Sequence, residues 1–474
     1  MTGRVGVAIG AGGVGFVLLF VVIGLGTDAW APRSSRGAAP GTASGPNILL
    51  ITIDALRADH VGLYGYKRPT TPRIDAYFGA GRVYEVAYSP TATTTPSIVS
   101  MLTGLHPPEH GVRLLCQRLS PEVVTVVDRI RRAGYQTAAV VSNAVLADSA
   151  SGLGGRFEYY DDDVDEPEPF RVEMFERNAA RTTDAVLRWL VEHRSADRPH
   201  FLWVHYIDPH GPYRAPADKP VEFNHAQAVP IDPLRVPIYA RERGVTDGLE
   251  YVDRYDEEIA YTDREVGRLL SAYEELGLLD GSAVILTADH GESMMEHEHW
   301  FQHQMTVYEE MVRIPLAIRY AGVEPGWVKQ PVSLVDVAPT VLALASLPAS
   351  SVGVNLLGVI PTRYVQCEGR AEGGGLWRGL VRDGRKTAVR HGMSNVVREA
   401  WAFDLVADPG ELNPLSVTAA DDTYSLLSDL VQRDPDPGGV PKQYAEGELP
   451  APNVAPAFDE RMRARLKSLG YVGG

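Results

Sequence analysis

Cysteine is nearly missing: Cys116 and Cys367 are the only two in 474 residues. That excludes a disulfide-stapled scaffold and a thiolate zinc centre, and leaves open whether the two pair. Cationic charge is also short, with 45 Lys and Arg against 61 Asp and Glu and a formal net charge of −16. A nucleic-acid partner is not expected, because phosphate backbones are held by a basic surplus. No internal repeat is visible. Long apolar runs are confined to one place, Val5 to Gly26, which carries no charged side chain. As a helix rising about 1.5 Å per residue it would reach roughly 33 Å, enough to cross a hydrocarbon core. Ala29-Trp30-Ala31 offers the alternative of a cleavage site, but a signal h-region is usually only about 7–15 residues. Residues 1–26 are therefore expected to be a transmembrane anchor or an uncleaved signal. Either way the remainder is expected to be extracytoplasmic, periplasmic or extracellular.

What is present suits a globular chain: 45% hydrophobic and 22% charged residues, enough for one large domain and a smaller one. Residues 27–46, rich in Ala, Pro, Ser and Gly, are expected to form a flexible linker. From Asn47 the text changes to short apolar runs that end in polar residues. Ile48 to Ile53 ends at Asp54, and Ala283 to Ala288 at Asp289-His290. Thr137 to Val141 ends at Ser142-Asn143, and Phe201 to Val204 leads to His205, Asp208 and His210. Such runs suit strands buried on both faces. Helical signals lie between them, from Ser120-Pro121 to Gly134 and from about Tyr255 to Leu270. The expected fold is α/β: a mostly parallel central sheet flanked by helices over residues 47–360, then a smaller C-terminal α+β subdomain over 361–474 closing with a helix from Phe458 to Leu469. Ligand sites in such sheets lie beyond the carboxyl ends of the strands. The polar residues that close the runs should therefore converge.

Three groups of residues carry chemistry. Thr93-Thr94-Thr95-Pro96-Ser97 opens a helix, with Pro96 in the first helical position, a preceding Thr as cap and Gly104 as terminator. A hydroxyl there faces unpaired N–H groups and the positive end of the helix dipole, a place for an anionic ester, although Thr and Pro begin many helices without chemistry. Asp54, Asp289 and His290 offer two carboxylates and an imidazole, and Thr94 a fourth donor. Mixed oxygen and nitrogen donors suit one divalent ion, Zn²⁺ or Mn²⁺ before Ca²⁺. His210 and His303 come from two histidine-bearing stretches and are candidates for protonating a leaving oxygen or holding a non-bridging one.

These segments resemble the sulfatase family, within the alkaline-phosphatase superfamily, from about Asn47 onward. The resemblance rests on Asp54-Ala55-Leu56-Arg57-Ala58-Asp59-His60, Tyr64-Gly65-Tyr66, Thr94 to Gly104 with His110-Gly111, and Asp208-Pro209-His210. It continues through Asp289-His290-Gly291-Glu292, Tyr308-Glu309-Glu310, Asp336 to Pro348 and Leu469-Gly470-Tyr471-Val472. Against the family pattern C/S-x-P-S-R, this chain has Thr94-Thr95-Pro96-Ser97-Ile98. Threonine cannot be oxidised to formylglycine by the cysteine or serine route, and the motif's arginine is Ile98. Ala55 replaces one metal-binding aspartate, Asn143 lies where a lysine-tryptophan-histidine segment is usual, and His303 lies near a sulfate-binding lysine. The same departures resemble threonine-nucleophile relatives that act on phosphate esters. The resemblance therefore implies a phosphate-ester hydrolase or transferase, with diesters as the expected substrates. Thr94 would be its nucleophile, Asp54, Asp289 and His290 its metal ligands, and Arg57, Asn143 and Asp208 its substrate contacts. Sulfate-ester hydrolysis without formylglycine, and a non-catalytic binding protein, are the alternatives. The anchor suggests an envelope lipid or glycan as substrate.

Overall fold

The computed structural model describes residues 43–164, 176–349, 351–371, 374–392, 396–418 and 420–434. The expected anchor over 1–26, nearly all of the linker and the closing helix at 458–469 lie outside the described residues. Among the described residues no helix is long and apolar enough to cross a membrane.

The apolar runs become the central strands of an eight-stranded sheet. Its order is Gly326–Val328, Arg82–Tyr84, Leu316–Arg319, Ser282–Ala288, Asn47–Ile53, His200–Tyr206, Gln136–Val141 and Tyr159–Asp161. Asn47–Ile53 pairs in parallel with both neighbours, and Leu316–Arg319 is the strand that runs antiparallel to both of its own. The central strands are buried almost throughout, as expected of parallel strands covered on both faces. Alternation along His200–Tyr206 shows the two layers. His200 Nε2 meets the Tyr273 hydroxyl at 3.0 Å and Tyr206 meets Thr183, placing the helices Ala179–Glu192 and Gly248–Glu275 on one face. Phe201 and Trp203 stack on Phe157 from the other.

Helix boundaries shift from the expected ones for local reasons. The helix expected to open at Ser120-Pro121 starts instead at Val126, because Thr125 and Asp128 form a reciprocal capping box. The long helix spans Gly248–Glu275, with Asp247 accepting from the Leu249 N–H at its start. Thr94–Thr103 is a helix whose N-cap is Thr93, so Pro96 is its third residue rather than its first, and the Thr93 side chain makes no cap bond. Gly104 ends it at φ +71°, where a Cβ would stand 2.4 Å from Ser351 Cβ. A separate four-stranded antiparallel sheet follows, from Val365–Arg370 to Val397–Asp404. Its buried Lys386 meets Glu309 at 2.8 Å and Glu411 at 3.0 Å, tying it to the loop beyond the site. Cys116 and Cys367 are buried and free.

Candidate active site

Strand register brings the polar residues together. Ile53 lies opposite both Tyr206 and Ala288, and Val141 opposite His205, so Asp54, Asp289, His290 and Asn143 leave the sheet at one edge. Asp54, Asp289 and His290 offer ligand atoms all within 4.8 Å of one another and are fully buried.

Each of the three has one atom held by the protein and one turned to the common point. Asp54 Oδ2 accepts from Asn143 Nδ2 at 2.6 Å and lies 3.4 Å from His205 Nε2, while Oδ1 has no hydrogen-bond partner. Asp289 Oδ1 accepts from the N–H groups of Ala55 (3.1 Å) and His290 (2.8 Å), leaving Oδ2 without a partner. His290 Nδ1 is 2.8 Å from the Gly291 carbonyl, which can only accept, so Nδ1 carries the proton and Nε2 presents its lone pair. Nε2 lies 3.6 Å from Asp54 Oδ1 and 3.5 Å from Asp289 Oδ2. Burial pushes Asp54 up to about 8 and Asp289 to about 6, and lowers His290 to about 4. Two buried carboxylates facing an imidazole lone pair are unfavourable unless a cation joins them. The donor set fits one divalent metal ion.

Thr94 begins the helix Thr94–Thr103, fully buried, and its Oγ1 lies 3.1 Å from the same His290 Nε2. Ser97, one turn on, donates to the Asp289 carbonyl at 2.6 Å and so locks this helix to the strand end. The hydroxyl thus stands at the ligand cluster and at a helix N-terminus together.

Two further histidines close the site. His303 stacks on His290 with ring centroids 4.4 Å apart, and its Nδ1 is 3.2 Å from Glu292 Oε1. His210 meets His303 edge-on at 5.2 Å and stacks on Tyr239 at 5.5 Å. Burial raises Glu292 to about 8 and lowers His303 to about 3. Among the candidate residues, Asp54, Thr94, Asn143, Asp289, His290, His210 and His303 are thus assembled. Arg57 is engaged elsewhere. The Arg57 guanidinium pairs with Asp59 (2.7 Å) and Glu296 (2.8 Å) and donates to the Glu292 carbonyl. Asp208 accepts at its carbonyl from Thr262, and its carboxylate acts on Tyr206 and Tyr261, on the long-helix side. Glu292 and Tyr239 are site residues that motif reading did not single out, while His205 stood among the strand-end residues expected to converge. Glu292 stood inside Asp289-His290-Gly291-Glu292, while nothing local marks Tyr239.

The Sulfatase family profile matches residues 46–347. Arylsulfatase K of Rattus norvegicus is 25% identical, with 87% of this chain and 82% of that protein covered. The choline-sulfatase of Rhizobium meliloti is 25% identical, covering 79% and 83%. A solved structure in complex with its substrate D-Glucosamine-2-N, 6-O-disulfate superimposes with a TM-score of 0.67 at 19% identity, covering 83% of this chain and 99% of that one. The phosphonate monoester hydrolase of Agrobacterium radiobacter gives 0.61 at 18% identity, covering 82% and 94%. With its α/β fold, its strand-end site and a family match over most of its length, this chain belongs to the sulfatase family and is an ester-hydrolysing enzyme of the alkaline-phosphatase superfamily.

Proposed function

We propose that this enzyme cleaves phosphate esters, diesters above all, with Thr94 as nucleophile and one divalent ion held by Asp54, Asp289 and His290. The observation that carries the proposal is the position of Thr94 Oγ1, 3.1 Å from the imidazole nitrogen that completes the ligand cluster. The bound ion supplies Lewis acidity at the hydroxyl and at an ester oxygen. Thr94 would give up its hydroxyl proton to solvent beforehand and attack as the alkoxide: Oγ forms a bond to phosphorus, the opposite P–O bond breaks, and the leaving alkoxide takes the proton held by the Glu292–His303 pair. Water or an acceptor hydroxyl then attacks the phosphorylated Thr94, returning its own proton to that pair and releasing Thr94. Asn143 holds Asp54 in place.

The charge inventory favours a singly charged ester. Burial holds His290 and His303 neutral, and the nearby Arg57 is committed to Asp59 and Glu296. A dianionic phosphate monoester would meet the metal alone, whereas a diester brings one charge. A sulfate ester is also singly charged, and the sulfatase names of the relatives favour it. Threonine, however, offers no formylglycine route. Envelope lipid or glycan esters are the substrates this reading implies.

Parallel assays on bis-para-nitrophenyl phosphate and para-nitrophenyl sulfate test it. Hydrolysis of the diester that disappears in Thr94→Ala is the expected result. Turnover of the sulfate ester alone, or full activity in Thr94→Ala, overturns it.

A further inference from the structure

The segment from Ala226 to Ala240 carries one Asp, one Arg and three prolines, Pro230, Pro233 and Pro237, among otherwise mostly apolar residues. It borders the active site directly. Tyr239 stacks on His210 at 5.5 Å, and Arg235 lies over the Trp300 ring at 4.4 Å and pairs with Glu298 at 2.6 Å, in the stretch that leads to His303. Three of its apolar side chains nevertheless face outward, with Leu234 75% exposed, Ile238 76% and Val229 40%, while Ile231 and Val236 are buried. They are held there. Arg241 donates to the carbonyls of Leu234 (3.2 Å) and Val236 (2.8 Å), closing the loop behind them, and proline fixes φ at three positions. Large aliphatic side chains kept in water on a loop that reaches the active site imply something apolar to cover them.

We infer that this loop docks the enzyme on a lipid surface, so that the ester entering the site belongs to a membrane lipid. The inference rests on the ester-hydrolase reading for its substrate half only. Two observations select lipid over the other occupants. The outward side chains are aliphatic, which pack against acyl chains and give a sugar ring no face to stack on. The chain also carries the uncharged run Val5–Gly26, separated from the first described residue by 16 residues. An uncharged run of that length gives the chain a bilayer as an apolar surface to meet, and the net charge of −16 leaves apolar insertion, not charge attraction, as the means.

The test uses the full chain reconstituted in phosphatidylcholine vesicles. Cys116 and Cys367 are buried, so a cysteine placed by Leu234→Cys or Ile238→Cys takes a nitrobenzoxadiazole label selectively. Val359→Cys, at a site 94% exposed beside the Arg82–Tyr84 edge, is the control. Blue-shifted emission quenched by spin-labelled acyl chains is expected at 234 and 238, and aqueous emission at 359. In the second arm the double variant Leu234→Ser/Ile238→Ser should lose about tenfold or more in kcat/KM on a vesicle-borne phosphodiester, with the soluble diester unchanged. Aqueous emission at 234 and 238, an equal loss on both substrates, or a shift that follows protein concentration without vesicles would overturn the inference. If the labels enter lipid while the wild type cleaves neither diester, the docking surface stands and the hydrolase reading fails.

Discussion

Asp54, Asp289 and His290 show how single residues are prepared for a cation. Asn143 fixes one oxygen of Asp54, two N–H groups fix one oxygen of Asp289, and a carbonyl fixes the tautomer of His290. Outer partners of this kind typically contribute about 10–100-fold in metal affinity. Asn143→Ala should therefore weaken metal binding by that range while the protein stays folded, measured by competition with a chromogenic chelator; unchanged affinity would remove Asn143 from the site. The Glu292–His303 pair gives a second test at this scale. If it protonates the leaving group, Glu292→Gln should slow alkyl diesters by about 10²-fold or more and aryl diesters far less. Turnover of alkyl diesters should also fall as pH rises through about 8, where the buried Glu292 carboxyl loses its proton. A uniform loss across leaving groups would assign the pair a structural role only.

At the scale of elements, the site depends on turns that the strand ends force. Gly291 backs onto the chain at Glu310, where a Cβ would stand 2.1 Å from the carbonyl oxygen. Gly291→Ala must therefore push His290 and Glu292 out of place, and loss of bound metal with retained helical circular dichroism is expected. Ala55 takes φ +54° to aim its N–H at Asp289, a conformation that costs a residue with a Cβ of order 1–2 kcal/mol. The strands and their polar ends were legible because buried parallel strands are unbroken apolar runs, and register needs only that they share one sheet. The start at Val126 was also present as Thr125-x-x-Asp128, but Ser120-Pro121 is the stronger local signal and misleads. Arg57 shows the limit of motif reading. Its position in the motif is right, yet its charge is taken by Asp59 and Glu296, the latter 239 residues away. Tyr239 lies in a loop without periodicity, so only the fold could place it on His210.

For the whole molecule, the buried acids set a pH dependence of folding. Their folded pKa values are raised, Asp54 from the ordinary 3.8 to about 8 and Asp289 to about 6, so without metal the folded state binds more protons than the unfolded one between these limits. Stability of the metal-stripped enzyme should fall as pH rises from about 4 to about 8, and added Zn²⁺ or Mn²⁺ should restore more at pH 8 than at pH 5. Thermal unfolding with chelator present, followed across that range, reads this directly; a flat profile would mean that the carboxylates are balanced by other groups. The claim on which the rest depends is covalent attack by Thr94. Intact mass spectrometry after brief reaction with a phosphodiester and acid quench, with peptide mapping of any adduct, tests it most directly. A phosphoryl-containing adduct on Thr94 that is absent in Thr94→Ala is the expected result. An adduct on another residue, or steady turnover in Thr94→Ala, would contradict it.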